Sequence, residues 1–170
     1  MLSDLRFRVP LMVLIAVVLH TTVLAQVRVF GVMPDVMLLL AVAAGLEAGP
    51  GYGATIGFTS GMLSDLLLPT PLGLSALVFT VVGYVVGVTK GGLLRSTWWF
   101  PVGVALVASA AGQALFALVG TVIGEEGLLT RHLTAIVIVV ALTNAILAVP
   151  ILRLARWSLA GRPPDRAYAE

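Results

Sequence analysis

The chain has 170 residues, of which 59% are hydrophobic and 11% charged, with a mean hydropathy of +1.09; that balance excludes an ordinary soluble domain. It contains no cysteine, which excludes disulfides and thiolate metal sites. Its pI near 9.5 and formal charge of +2 come from basic residues at the ends of apolar runs, the pattern of orientation signals rather than of a nucleic-acid surface.

Apolar runs bounded by Gly, Pro or charge fall at about 9–25, 30–46, 51–68, 72–88, 98–123 and 132–152. A spanning helix needs about 20 mostly apolar residues, so the expected fold is an all-α integral membrane protein, a compact bundle of six transmembrane helices with short loops. The first run follows Arg6 and Arg8 and ends on Val23, Leu24 and Ala25, a loose likeness to a signal-peptidase site. It is long for a signal core and further spans follow it, so an uncleaved helix is expected. The second run is the weakest, because 34–46 rises only about 20 Å; starting it at Phe30 puts Pro34 near the first turn and brings it to about 25 Å. A single membrane domain over 1–157 is expected, with a short cytoplasmic tail over 158–170.

With both termini cytoplasmic, Arg6, Arg8, Lys90, Arg95, Arg153, Arg156, Arg162 and Arg166 lie inside, against Arg28 and Arg131 outside. A re-entrant second segment orients the charges less well, so six crossings are expected. Trp98, Trp99 and Trp157 then share the inner interface, where indoles are favoured.

Several residues invite a role. Gly49, Gly53, Gly57 and Gly61 recur every four positions and lead to Asp65, and Gly83, Gly87 and Gly91 repeat the device. Small residues at this spacing let helix backbones approach closely, inside the bundle or against a partner. Asp65 precedes Pro69, Thr70 and Pro71, and a carboxylate there is expected to accept from Thr70, Ser75 or free N–H groups at the start of the fourth helix; a proton relay is the alternative. Asp35, after Pro34, reads as a helix-start acid in an outer loop. His20 reads as a packing residue without a catalytic role. Gln113 and Asn144 are buried polar groups, each about 20 Å from the inner end, expected to pair across an antiparallel helix contact. Pro150 predicts a bend near Ile146, and Glu125 and Glu126 read as a solvated outer turn. Neither a phosphate-binding loop, a Ser/His/Asp set nor a zinc-like spacing occurs, so neither an enzyme nor a cofactor site is expected.

From Met33 to Gly87 the chain resembles the family of the bacterial rod shape-determining protein MreD. The resemblance is carried by Pro34 and Asp35 before an apolar run, the block from Gly57 and Phe58 through Gly61 to Asp65, then Pro71, Leu72, Gly73 and Leu74, and finally Gly83 and Tyr84. One departure is Glu47, where similar proteins often carry a basic residue. The resemblance implies a bacterial inner-membrane subunit of the cell-elongation machinery, partnered with the single-pass protein MreC. Through it the chain would meet the filament protein MreB and the peptidoglycan-synthesising pair of RodA and a class B penicillin-binding protein. It also implies a fold similar to the six-helix substrate-binding subunits of energy-coupling-factor transporters. On this reading Gly53, Gly57, Gly61, Asp65, Gly73 and Tyr84 serve helix packing or partner binding. A non-enzymatic scaffold is the leading function. The rival is a vitamin-type binding subunit of a transporter; a proton-coupled carrier would need more intramembrane charge.

Overall fold

A computed structural model describes residues 2–24, 33–89, 99–124 and 133–159. Within them lie six α-helices: α1 Leu2–Val18, α2 Val36–Ala48, α3 Pro50–Leu67, α4 Leu74–Thr89, α5 Phe100–Ile123 and α6 Leu133–Leu159, with a π-helical turn Leu19–Leu24 after α1. By length and composition α5 and α6 are long and apolar enough to cross a membrane, whereas α2 and α4 are shorter apolar helices.

The weakest apolar run builds the centre. From Val36 to Ala44 every α2 side chain is at most 1% exposed, because the stretch is apolar all round and has no face to offer water. Its helix is shorter than the sequence suggests. Residues 33–35 are not helical, so Pro34 stands before the helix rather than in its first turn. At its other end a single residue, Gly49, separates α2 from α3. That turn needs φ 98°, a conformation costly for any residue with a Cβ.

Glycines fix how α2, α3 and α4 meet. A Cβ on Gly45 would fall 2.5 Å from Gly83 O and 3.0 Å from Gly87 N, and one on Gly61 would fall 2.5 Å from Ala76 Cα. Gly53 abuts Gly83 and Gly45, and Gly57 abuts Phe79 and Thr80. The three backbones touch, and Ser60 Oγ adds a hydrogen bond to Met37 O at 3.3 Å. Without a hydrophobic driving force between helices in lipid, this close approach is what accumulates dispersion energy.

The long helices α5 and α6 pack on each other and on α2, α5 also meets α4, and α1 lies against α6 and α2. One end of the bundle is marked by Arg156 Nε donating to Glu47 Oε1 at 2.7 Å and by the Arg8 guanidinium 5.5 Å from the Trp157 ring centroid. Helix α6 runs through Pro150 to Leu159, and Ser158 is fully buried, so the bundle extends past the expected tail boundary. Arg28, Lys90, Gly91, Arg95, Trp98, Glu125, Glu126, Arg131 and residues 160–170 lie outside the described residues.

Gly61→Leu is expected to cost at least about 3 kcal/mol by forcing α4 away, read as a lower thermal midpoint and loss of the monodisperse peak in detergent. Gly103→Leu, whose Cβ meets no heavy atom within 4 Å, is expected to leave both unchanged.

Candidate functional site

Two aspartates organise the polar interior. Asp35 caps α2: its Oδ1 accepts from Leu38 N–H at 3.0 Å, and its Oδ2 accepts from Gln113 Nε2 at 3.1 Å. Asn144 clasps the same residue's backbone, its Oδ1 accepting from Asp35 N–H and its Nδ2 donating to Asp35 O, both at 3.1 Å. The second Nδ2 hydrogen goes to Ser109 Oγ at 2.9 Å. Asn144 and Ser109 are both fully buried, and every hydrogen-bonding atom of the Asn144 amide is used.

This corrects two expectations. Gln113 and Asn144 do not pair directly; Asp35 stands between them. Nor is Asp35 in an outer loop. Asn144 lies twelve residues before Arg156, which pairs with Glu47, so Asp35 sits about 18 Å from that end, among the helices.

Asp65 closes the turn between α3 and α4. It is 3% exposed. Its Oδ1 accepts from Thr70 Oγ1 at 3.1 Å and its Oδ2 from Gly73 N–H at 2.9 Å; Ser75 N–H lies 3.1 Å from both oxygens, and Ala76 N–H 3.3 Å from Oδ2. The N–H groups at the start of α4 have no intrahelical partner, and the helix dipole favours an anion there. Gly73 adopts φ 94°, which aims its N–H at the carboxylate and explains a glycine here without any close contact.

The remaining sequence candidates are spread out. Gly53, Gly57 and Gly61 face α4 inside the bundle, whereas Tyr84 on that helix is 47% exposed. Glu47, the departure from the expected basic residue, is matched by Arg156.

Two concavities open among the described residues. A polar cavity of about 260 Å³ opens beside the Asp35 network, walled by His20, Asp35, Thr70, Phe79, Gln113 and Phe116 among others. His20 reads from the sequence as a packing residue, yet its Nδ1 is buried without a hydrogen-bond partner among the described residues. Equal depth was the available signal for the Asp35 network: Asp35, Gln113 and Asn144 all lie thirteen to fifteen residues from the Glu47 end of α2, α5 and α6. The larger concavity, about 570 Å³, is an apolar groove between α4 and α5 lined by Val81, Val85, Phe100, Gly103, Val107 and Ala111 among others. Among the described residues no group of three or more His, Cys, Asp or Glu side chains is placed to hold a metal ion.

Residues 1–154 match the family described as rod shape-determining protein MreD. No curated protein matches the chain. No solved structure matches it either.

Asp65→Ala strands the N–H groups of Gly73, Ser75 and Ala76 and is expected to cost about 3 kcal/mol or more, at 1–3 kcal/mol per buried unpaired donor. Asn144→Leu strands Asp35 N–H and O in the same way. Both are read as a lower thermal midpoint in detergent; a midpoint within experimental error of the parent for either variant contradicts these networks.

Proposed function

The chain belongs to the rod shape-determining MreD family, and from that premise we propose that it acts as a membrane scaffold, holding an MreC-like single-pass helix in the groove between α4 and α5. The family is non-enzymatic and its part is in rod-shape determination. The observation that carries the scaffold reading is the groove itself. Among the described residues its wall is apolar, with no charged side chain in it, and Gly103 opens toward empty space, so a second helix backbone can approach where the small residues Gly103, Ala108 and Ala111 lie.

Through that partner the chain would join an MreB-like filament, RodA and a class B penicillin-binding protein. Six crossings of the bacterial inner membrane, both termini cytoplasmic, fit the eight-to-two distribution of basic residues. They also fit Arg8, Arg153, Arg156, Trp99 and Trp157 falling at one end of the bundle. A single membrane domain with a short tail is part of the same reading.

The rival is a vitamin-binding transporter subunit, in keeping with the fold kinship to energy-coupling-factor proteins that the resemblance implies. The polar cavity favours it. At about 260 Å³, however, that cavity lies below the roughly 300–1,000 Å³ usual for ligands of this size, and the scaffold reading is preferred.

Depletion is expected to make a rod-shaped host widen or round up. Gly103→Leu is expected to reduce co-purification of the MreC-like partner about tenfold or more without lowering the thermal midpoint, and Asp65→Ala to weaken the complex more than Glu125→Ala. Reporters fused at Glu170 and within 124–129 are expected on opposite sides of the membrane. Unchanged partner recovery with Gly103→Leu removes the groove from the reading. Tight vitamin binding, with capture of an ATPase module and not of the MreC-like protein, overturns the scaffold.

A further inference from the structure

We propose that the polar cavity beside Asp35 is a binding site for a small organic ammonium group, supplied either by a free amine or by a lipid ethanolamine headgroup. It lies on the far side of α5 from the apolar groove and does not depend on the scaffold reading. At about 260 Å³ it far exceeds the roughly 15 Å³ that one water needs.

The walls decide the sign of the ligand. Among the described residues they carry one carboxylate, Asp35, one imidazole, His20, and no Lys or Arg. The two helix N-termini at the cavity, those of α2 and α4, would suit an anion, but each is already closed by a carboxylate. What remains is weighted toward acceptors, with the Ser64 and Ser75 hydroxyls able to act either way. Gln113 gives one N–H of Nε2 to Asp35 Oδ2, and its carbonyl oxygen can accept. Thr70 Oγ1 has given its hydrogen to Asp65, leaving its lone pairs. His20 Nδ1, buried and without a hydrogen-bond partner among the described residues, accepts when Nε2 holds the proton.

An ammonium group brings three donors, no acceptor and a positive charge. It would offset the Asp35 carboxylate at a depth where unpaired charge is expensive. Phe79 and Phe116 on the same wall present ring faces or edges around it, and ring faces attract cations. A divalent metal is disfavoured by a single carboxylate, since hard cations take six or more oxygen ligands or keep their own waters.

The test uses the purified full chain in detergent, in buffer free of Tris and other amines. Ethanolamine, dihexanoyl phosphatidylethanolamine, ethylene glycol and inorganic phosphate are titrated separately, and thermal midpoint and calorimetric heat are followed. We expect saturable binding of at least one of the two ammonium probes, with ethylene glycol and phosphate inert. Saturation by ethanolamine identifies a free amine as the source, and a response confined to the phospholipid identifies the headgroup.

Asp35→Asn is expected to weaken binding about tenfold or more. Because Asp35 also caps α2, Ile136→Trp serves as the second variant: Ile136 lines the cavity and makes none of the hydrogen bonds of the Asp35 network, so the indole fills the space and binding is lost while the midpoint of the free protein is kept. Binding that survives Ile136→Trp overturns the site. So does equal binding of ethylene glycol, binding of phosphate in place of the amines, or no saturable response to either ammonium probe by folded protein.

Discussion

Two helices of this bundle, α2 and α4, have first N–H groups closed by an aspartate. The first N–H groups of a helix have no partner within it, and in a bilayer each one left open costs several kcal/mol. Asp35 meets that demand at α2 and Asp65 at α4. The two carboxylates then reach outward differently. Asp65 spends its oxygens on backbone and on Thr70, all within eleven residues of itself, and so makes one tight local turn. Asp35 takes Gln113 as well, while its own backbone is held by Asn144, and so ties α2 to α5 and α6.

Around that framework the molecule divides into a dense part and an open part. Glycines bring α2, α3 and α4 into backbone contact, where any Cβ would collide. Dispersion and weak Cα–H hydrogen bonds have no competitor at such distances. The stripe that the sequence assigns first to packing and second to a partner is used up inside the bundle. Between α4 and α5 the opposite holds: Val81, Val85 and Val107 stay exposed, and Gly103 has space in front of it.

The local features were legible from the sequence, and the distant ones were not. Apolar runs place α3, α4 and the start of α5 to within about two residues, because Gly49, Pro71 and the loop glycines interrupt hydropathy sharply. Asp65 was readable because its partners lie within eleven residues in the chain. Asp35 was misplaced because hydropathy treats a charge beside a proline as a loop, and it gives no depth. Asn144 lies 109 positions away; only the comparison of depths along three helices brings it to Asp35. His20 looked like packing because nothing in its own run hints at a cavity built by the π-turn, α2, α4, α5 and α6 together.

Helix α5 connects these parts through a single turn. Gln113 points to Asp35, while Ala111 and Leu115, two positions before and after it, line the apolar groove. At 100° per residue, positions two apart cannot share a face, so one turn of α5 presents the polar network on one side and the groove on the other. The groove's separation from α2 is thus set by a hydrogen bond to a part-buried carboxylate rather than by apolar packing, which tolerates sliding. That gives a reason for a scaffold to keep costly polar groups in its interior. An apolar substitute at Gln113 would pack as well, but it would leave α5 free to rotate by one ridge, and the groove would lose the single shape a partner helix has to fit.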